Sequence, residues 1–445
     1  MAPTFDKDYV LKTVEERGVR FVRFWFTDVL GMLKSFSVTD TELEASFEEG
    51  MGFDGSSIDG FTRLEESDMI AIPNPDSFAV LPWRPSESGV GRMFCDIVKP
   101  DGTPFEGDPR YALRRMTDKA AALGYTMYVG PELEFFYFAD DQDTEVLDNG
   151  GYFDLTPLDA ASDLRRDTVL TLEKMGIPVE YSHHEVAPSQ HEIDLRYCDA
   201  TSMADNVMTY RLVVKEIALQ NGVYATFMPK PIFGQNGSGM HVHQSLFSKD
   251  GNAFFDANDP EGFNLSQVAK HYIAGLLKYA PEFTAVTNPL VNSYKRLVPG
   301  YEAPVYIAWA RRNRSALVRV PMYKPGKENA TRLELRSPDP SANPYLAFAC
   351  MLGAGLKGIE EKLPLMPEAT NNIFDMSDEQ LETAGINILP GTLGEAIDLF
   401  EHSELMKEVL GEHIHAFYVA NKRAEWDEYR MQVTEWELDK YLSVI

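Results

Sequence analysis

Four short segments of this chain carry charged or imidazole side chains at alternate positions. They are Pro131–Phe135, Glu192–Leu195, Met240–His243 and Arg332–Arg336. Because successive residues of a β-strand point to opposite faces, each segment puts its acids, histidines or arginines on one face and its apolar side chains on the other. The pattern predicts strands that share a polar concavity able to bind ions, whereas an ordinary half-buried strand turns its polar face to water.

The acids of these segments predict a cation site. Carboxylates that crowd on one face repel each other, and some stay protonated unless a cation joins them. Glu132, Glu134, Glu192 and His241 offer carboxylate oxygens and an imidazole, a donor set that suits Mg²⁺ or Mn²⁺. Glu185 and Glu192 flank a short run that can loop both acids to the same opening. The competing interpretation is a set of solvated strand edges.

A basic stretch from Asn292 to Arg336 argues for the ion-binding interpretation. The whole chain has 41 basic and 69 acidic residues, whereas this stretch has ten basic residues against three acidic ones. Guanidinium groups bind carboxylate and phosphate oxygens in pairs. Arginines beside a carboxylate cluster indicate phosphoryl transfer, in which cations share the developing negative charge. The net charge of −28 argues against a nucleic-acid partner.

Length and composition indicate a globular protein of two domains. With 445 residues, 44% of them hydrophobic, the chain is long enough for more than one core. Three cysteines are too few for a disulfide framework, and no apolar run reaches the roughly 20 residues of a membrane span, so we expect a cytoplasmic protein without membrane contact. The turn-rich segment Pro100–Pro104 predicts a boundary between domains of residues 1–104 and 105–445.

Helices and polar-faced strands are expected to alternate along the chain. Residues 6–17 predict a helix, residues 19–26 and 32–38 predict a hairpin of two strands, and residues 92–98 predict a third strand. The larger domain is expected to end in a mostly helical part. Its predicted helices cover residues 110–123, 161–175, 202–220, 264–279, 343–361, 393–410 and 413–432.

Three loops hold polar residues that are ambiguous on their own. Asp54 lies in an Asp-Gly-Ser-Ser turn, and Glu302 lies in a proline-bracketed loop of the basic stretch. The glycine-rich loop Phe233–Gly239 leads directly to His241 and lets a ligand approach the backbone. Its spacing fits neither a Walker A loop nor a dinucleotide fingerprint. Taken alone, the glycine-rich loop is equally well a tight turn and Glu302 is equally well a salt-bridge partner, whereas ordinary turn chemistry is the favoured interpretation of Asp54.

Taken together, these motifs resemble those of type I glutamine synthetases over essentially the whole chain. The resemblance implies an α+β fold, with a small N-terminal β-grasp domain and a catalytic domain built on an antiparallel half-barrel sheet flanked by helices. It implies ATP-dependent ligation of ammonia to the γ-carboxylate of L-glutamate through γ-glutamyl phosphate, giving L-glutamine, ADP and phosphate. The motifs that carry it are Phe53–Ser57, Gly130–Phe136, Glu185–Glu192, Lys230–Gly234, Asn236–His243, Asn292–Pro304, Arg312–Ser315 and Arg336–Pro340.

The resemblance also implies roles for individual residues. Asp54 would take a proton from ammonium, Glu302 would lie on the loop that shields the intermediate from water, and Arg314 would stabilise the transferring phosphoryl group. Two or more Mg²⁺ or Mn²⁺ ions would be held by two sets, Glu134, Glu185 and Glu192, and Glu132, His241 and Glu334. Glutamate would contact Asn236, Gly237, Arg296, Glu302, Arg314 and Arg336. ATP would contact Glu180, Tyr197, His243, Ser245, Arg314, Arg319 and Arg332.

Assembly and regulation are implied in the same way. Members of the family are dodecamers of two stacked hexamers, so that Asp54 would serve the neighbouring subunit's site and Trp426–Ile445 would clasp the opposing ring. Arg63 matches the arginine associated with glutamine feedback inhibition in the shorter, alpha form of the family. Phe374 occupies the position of the tyrosine of adenylylated subtypes, so that modification is not expected.

Three alternative functions compete with this interpretation. A γ-glutamyl-polyamine or γ-glutamyl-amine synthetase would use the same scaffold, but such relatives tend to lose the ammonium-site acids, and Asp54 and Glu302 are both present. A guanidino kinase would leave six metal ligands unexplained. A non-catalytic, synthetase-like structural protein would not need to retain the full ligand set. Mg²⁺ and Mn²⁺ fit that set equally well.

Overall fold

The structure, a computed structural model, describes residues 5–60, 67–85, 87–299, 304–324 and 326–445. Arg63 and Glu302, which have predicted roles, lie outside the described residues. Within those ranges two sheets are each accompanied by helices, so the predicted α+β class is confirmed. No described helix has both the length and the apolar character needed to cross a membrane.

The N-terminal sheet has the strand order β2-β1-β6-β4-β3, with β5 beside β6. The predicted hairpin is confirmed, because β1 and β2 pair antiparallel, and the carboxylate of Asp28 accepts the N–H of Met32 in the turn at 2.8 Å. β1 pairs parallel with β6. The elements are α1 (Lys7–Glu16), β1 (Val19–Thr27), β2 (Leu33–Thr39), α2 (Leu43–Glu49), β3 (Met51–Asp54), β4 (Asp68–Pro73), β5 (Ala79–Val80) and β6 (Gly89–Val98).

Successive side chains of β1 pack into two different cores, so β1 connects this sheet to the rest of the protein. Phe24 and Phe26 point into a core formed by residues of the N-terminal region, whereas Trp25 points the other way into the main core. Asn343, from the start of a later helix, donates hydrogen bonds to the carbonyls of Asp28 at 3.1 Å and Val29 at 3.2 Å. The second half of β1 is therefore buried on both faces, and the turn that follows it is fixed to the larger region.

The larger sheet has the order β14-β15-β16-β12-β7-β9-β8, with β10 and β11 beside β7 and β13 beside β12. The four segments singled out in the sequence are the four neighbouring strands β16, β12, β7 and β9. All pairs except the parallel β14–β15 are antiparallel. The strands are β7 (Thr126–Phe138), β8 (Val179–His184), β9 (Gln190–Leu195), β10 (Cys198–Asp199), β11 (Tyr224–Thr226), β12 (Met240–Ser248), β13 (Gly251–Asn252), β14 (Tyr306–Ala310), β15 (Ala316–Arg319) and β16 (Leu333–Leu335).

Helices cover the apolar back of this sheet. The hydroxyl of Tyr210 donates to the carbonyl of Leu133 at 3.1 Å, and its ring packs against Phe135. The helices are α3 (Pro109–Ala122), α4 (Ser162–Lys174), α5 (Ala200–Gln220), α6 (Gln267–Thr287), α7 (Ser293–Arg296), α8 (Pro344–Glu361), α9 (Asp378–Ala384), α10 (Leu393–Glu401), α11 (Glu404–Leu410), α12 (Glu412–Arg430) and α13 (Glu435–Tyr441).

Two helix predictions were wrong in extent. α6 continues past residue 279 and through Pro281 to Thr287, because Ala280, Phe283 and Val286 are buried in the main core. That burial outweighs the roughly 3 kcal/mol that proline costs inside a helix. The helix predicted over 393–410 is two helices, since the hydroxyl of Ser403 accepts the N–H of Met406 and starts α11.

Candidate active site

The polar faces of the four central strands line a cleft of about 250 Å³. The strand register sets polar residues directly opposite one another: Glu132 faces His241 on one side and Asp194 on the other, and Glu134 faces Glu192. The lining is almost entirely acidic, basic or aromatic. It comprises Glu132, Glu134, Tyr152, Tyr181, His183, Glu185, Glu192, His241, Arg314, Arg319, Glu334 and Arg336.

One predicted metal set is gathered at the floor of this cleft. Ligand atoms of Glu132, His241 and Glu334 all lie within 4.8 Å of one another. Nδ1 of His241 is 3.4 Å from Oε2 of Glu132 and 3.8 Å from Oε1 of Glu334. The three side chains come from β7, β12 and β16, so strand pairing alone brings them together. Two carboxylates and one imidazole make a donor set that a hard divalent cation accepts.

The second predicted set is only partly gathered. Glu185 and Glu192 lie within 4.8 Å of each other and of His183, whose ring is 3.7 Å from each carboxylate. Glu134 lines the same cleft but stands apart, because its Oε2 accepts hydrogen bonds from the N–H of Gly239 at 2.8 Å and from Gln190 at 3.1 Å. Its other oxygen is left for a ligand.

The crowded acids shift one another's proton affinity. Burial and the neighbouring Glu185 carboxylate raise the pKa of Glu134 to about 8. Burial and the carboxylate of Asp194 raise the pKa of Glu192 well above its usual range. Burial opposes the ionisation of Glu132, but the imidazoles of His243 and His241 outweigh it and hold its pKa well below the usual range. Because Glu134 and Glu192 hold protons at neutral pH, a cation that binds them would displace those protons.

Arginines neutralise the acid at the end of the cleft. Nη1 of Arg319 donates to one oxygen of Glu334 at 2.9 Å, and Nε of Arg336 donates to the other at 3.1 Å. Arg336 also donates to the backbone carbonyl of Arg314, whose own side chain is exposed at the cleft. A phosphate bound at the acids would therefore meet guanidinium groups on its other side.

We expect the metal-free protein to lose stability as pH rises from about 5 to about 9. The pKa of Glu134 is about 8 in the folded state against an ordinary 4.5, so between these values the folded state holds a proton that the unfolded state has released. The free energy of unfolding then falls with rising pH. Thermal melting in a chelator at a series of pH values measures this loss of stability, and Glu134→Gln should make the melting temperature less dependent on pH. A profile that rises alike in both proteins would contradict this charge assignment.

A second cavity, also of about 250 Å³, adjoins the cleft and shares Glu132 and Tyr181 with it. Arg332 donates from Nε to Nδ1 of His243 at 3.2 Å, so the imidazole presents Nε2–H to Glu132 at 2.6 Å. Aromatic rings and polar groups are both available here, which suits a base and its phosphates. Five of the predicted ATP residues line this cavity: Glu180, Tyr197, His243, Ser245 and Arg332; the remaining two, Arg314 and Arg319, line the cleft.

Three of the predicted glutamate residues, Asn236, Gly237 and Arg296, lie on or against the glycine-rich loop, whereas Arg314 and Arg336 line the cleft. Arg296 is buried, and its guanidinium donates to the carbonyls of Ser337 at 2.7 Å and Pro338 at 3.3 Å. A Cβ on Gly239 would lie 2.4 Å from its Nη2, so the loop fits closely against Arg296. Asn236 and Gly237 are half-buried on this loop, and the carbonyl of Gly237 accepts Gln190 at 3.1 Å.

Other predicted residues lie away from the cleft. Asp54 ends β3 as an exposed side chain, its Oδ1 accepting the N–H of Ser56 at 2.8 Å, and it lines neither cavity among the described residues. The basic stretch divides in a similar way. Arg311 forms a two-pronged ion pair with Glu368, whereas Lys295 lies over the ring of Tyr429.

Three residues that line the two cavities were not predicted as site residues: His183, Tyr181 and Asp194. The alternation rule that found the other strands applies equally to β8, where Tyr181, His183 and the following Glu185 share one face. Asp194 follows Glu192 at the same spacing on β9 and is also buried. Burial raises the pKa of Asp194 to about 7. Tyr152 lies in a loop without regular alternation, and no local pattern marks it.

Comparisons with known proteins agree over nearly the whole chain. The model of the glutamine synthetase β-grasp domain matches residues 18–100, and that of the glutamine synthetase catalytic domain matches residues 106–441. The chain is 54% identical over 443 residues to the glutamine synthetase of Clostridium saccharobutylicum, with 99% of each covered. It is 55% identical over 443 residues to that of Methanosarcina mazei, covering 99% of this chain and 98% of the relative.

A solved structure shows the same fold. The cryo-EM structure of Plasmodium falciparum glutamine synthetase matches with a TM-score of 0.89 at 25% identity, covering 99% of each chain. The predicted β-grasp domain and half-barrel sheet are confirmed by these matches.

Proposed function

This chain belongs to the glutamine synthetase family, and from that premise we propose how its residues produce glutamine. It catalyses the ATP-dependent ligation of ammonia to L-glutamate. The observation that carries this function is identity of 54% to a glutamine synthetase across 99% of both chains. The geometry of the cleft supports a role for each of its charged residues.

The family uses divalent metal ions, and the chemistry of the cleft suits them. We propose that Glu132, His241 and Glu334 hold one ion, and that Glu134, Glu185 and Glu192 hold the other. Support comes from the 4.8 Å grouping of the first set and from the raised pKa of Glu134, about 8. When bound, Mg²⁺ or Mn²⁺ neutralises phosphate oxygens and withdraws charge from phosphorus.

In the proposed first step the γ-carboxylate of glutamate attacks the γ-phosphate of ATP, and ADP leaves. Ammonia cannot readily attack a carboxylate carbon, because neither carboxylate oxygen is a good leaving group. Phosphorylation of one oxygen turns it into part of a phosphate, which leaves readily. Arg314 and Arg319 stabilise the negative charge on the transferring phosphoryl group, which passes between the two cavities. Arg336 holds glutamate. Arg296 contributes by fixing the loop that presents Asn236 and Gly237 to it.

In the proposed second step ammonium gives a proton to Asp54, and the ammonia that forms attacks the acyl carbon of γ-glutamyl phosphate. The C–O bond to phosphate breaks, the attacking nitrogen loses a proton to the departing phosphate, and the products are the neutral amide and hydrogen phosphate. The N–H and the hydroxyl of Ser56 keep the pKa of Asp54 below the usual range, so the carboxylate is ionised and attracts the ammonium cation. Glu302 belongs to the loop proposed to shield the intermediate from water.

Ammonium is expected to be the preferred amine. Glutamate-dependent release of phosphate from ATP should be at least tenfold faster with ammonium than with putrescine or methylamine at equal concentration, because Asp54 offers a carboxylate at the ammonium site. Steady-state phosphate release measures this, with product identified by mass. Activity restricted to a polyamine or alkylamine would contradict the ammonia assignment and favour the amine synthetase alternative.

We further propose the dodecamer of two hexameric rings. Support comes from the C-terminal segment, where α13 begins with a capping box and leaves apolar side chains in solvent. Trp436 is 59% exposed, Leu442 76% and Ile445 98%. An isolated subunit seldom leaves so large an apolar surface uncovered. A second copy of this chain is the proposed occupant.

Three further proposals concern organisation and regulation. The domain boundary at residue 104 is supported by a separate N-terminal core, although Phe105 also belongs to that core. A cytoplasmic location is supported by three free cysteines, Cys95, Cys198 and Cys350. A role for Arg63 in glutamine feedback stays a prediction.

A further inference from the structure

A buried carboxylate, Asp148, ties three separate segments together behind the cleft. Its Oδ1 accepts the N–H of Ser189 at 3.0 Å and that of Gly150 at 3.2 Å. Its Oδ2 accepts the N–H of Ala160, just before α4, at 2.9 Å. None of the proposed steps uses this residue. One side chain thus fixes the loop after β7, the connection from β8 to β9 and the entry to α4.

The fourth partner of Asp148 is a histidine next to a proposed metal ligand. Nε2 of His184 lies 3.0 Å from Oδ1 of Asp148, and its Nδ1 lies 2.7 Å from the backbone carbonyl of Glu185. Both partners are acceptors, so the ring donates from both nitrogens. His184 is fully buried. The Glu185 peptide is thereby held by the ring of the preceding residue, which is itself held by Asp148.

The same group could be read as a metal site, since Asp148, His184 and His191 offer ligand atoms within 4.8 Å of one another. The hydrogen bonds argue against that. Nη1 of Arg165 is 2.7 Å from Nδ1 of His191, and because an arginine only donates, Nδ1 must accept and Nε2 must carry the proton. His184 likewise uses both nitrogens as donors. Neither imidazole has a free lone pair for an ion.

We propose that Asp148 and His184 are positioning residues that place the carboxylate of Glu185 at the metal cluster. This inference rests on the proposed function, in which Glu185 and Glu192 hold an ion. Strand pairing places Glu192 directly on β9, whereas Glu185 follows the last residue of β8, and of its backbone groups only the N–H joins the pairing, by donating to the carbonyl of Gln190 at 2.8 Å. The Asp148–His184 pair adds a second constraint by holding the carbonyl of Glu185, and through Ser189 it anchors the far end of the same connection.

Packing leaves little freedom in this arrangement. A Cβ added at Gly150 would lie 2.7 Å from Nε2 of His184, so the backbone closes directly over the ring. The ring of His191 packs edge-on against that of His184 with centroids 4.8 Å apart. His184 therefore has a single position, and displacing it displaces the Glu185 peptide.

The test is a titration of the assembled protein with Mn²⁺ in the absence of nucleotide. The electron paramagnetic resonance signal of free Mn²⁺ measures how much of the ion is bound. In Asp148→Asn and in Gly150→Ala we expect one class of Mn²⁺ sites per subunit to weaken by about 10- to 100-fold, the usual effect of losing a residue that orients a ligand. The class held by Glu132, His241 and Glu334 should keep its affinity. Unchanged affinity of both classes in both variants would overturn the proposal.

A matched control separates positioning from general loss of stability. Asp259 is also buried, pairs with Lys270 at 2.6 Å and accepts the N–H groups of Glu261, Phe263 and Leu265, but it lies outside both cavities among the described residues. Asp259→Asn should lower thermal stability without changing Mn²⁺ binding. If it weakens Mn²⁺ as Asp148→Asn does, the effect is structural and the proposal fails.

Glu185→Ala distinguishes failure of the inference from failure of the proposed function. If Glu185→Ala weakens one class of Mn²⁺ sites while Asp148→Asn and Gly150→Ala leave both unchanged, the positioning role is wrong and the ligand assignment stands. If Glu185→Ala itself leaves both classes unchanged, the ligand assignment is wrong.

Discussion

Glu132→Ala is expected to lower the rate of glutamine synthesis by roughly three orders of magnitude or more, because it removes a group that stabilises charge at the reacting phosphate. Glu132 is also central to the geometry. It stands opposite both His241 and Asp194 in the sheet and bonds His243, so it belongs to the proposed metal cluster and also lines the adjoining cavity proposed for ATP. Steady-state phosphate release with saturating glutamate, ATP and ammonium measures the loss.

The same variant should remain folded. In the metal-free protein this variant loses the contacts of Glu132 with His241 and His243, so the melting temperature in a chelator should fall but stay above the assay temperature. Glu173→Ala, on the exposed side of α4, is the matched control and should keep full activity. Parent-like activity of Glu132→Ala would rule out the metal assignment. Loss of activity together with unfolding would show instead that Glu132 is needed for the fold.

Asp54→Ala is expected to lower the rate with ammonium by about 10²- to 10⁴-fold, the usual contribution of a positioned proton acceptor. Because Asp54 lies away from both cavities of its own subunit, we expect it to act in the site of a neighbour. Mixed oligomers test this. Co-expressing Asp54→Ala with Glu132→Ala should restore about a quarter of the parent activity, since random assembly pairs an intact Glu132 with a neighbour's intact Asp54 in about a quarter of sites.

Each variant expressed alone is the control for this experiment and should stay inactive. The mixed oligomers are isolated by two different affinity tags, so that recovered activity comes only from particles that contain both chains. Mixed particles without activity would mean that Asp54 serves its own subunit, whereas parent-like activity of Asp54→Ala expressed alone would mean that Asp54 has no catalytic role. Loss of the mixed particles themselves would contradict the proposed assembly.

Local periodicity was enough to predict the polar floor of the site. Glu132, Glu192, His241 and Glu334 were singled out because a strand repeats every two residues, and that rule holds whatever the rest of the chain does. The β1–β2 hairpin followed from local turn chemistry in the same way. The same two-residue repeat on β8 also predicts that His183 lies on the polar face.

Longer-range packing decided what the local pattern did not contain. Pro281 predicts the end of a helix, yet α6 continues because its apolar residues are buried in the main core. Glu134 resembles Glu132 in sequence, but hydrogen bonds from Gly239 and Gln190 give it a different environment and a raised pKa. These partners come from other loops and strands, so no window of sequence around Glu134 identifies them.

The sequence by itself determined which residues share a face, and its motifs determined the family. Only the tertiary structure decided how those faces meet: that β16, β12, β7 and β9 are neighbours, and that Asp148 anchors the connection carrying Glu185. The physical reason is that side-chain alternation is a property of each strand's own backbone. Strand order and buried hydrogen bonds between distant segments depend instead on how the whole chain buries its apolar surface and satisfies its polar groups.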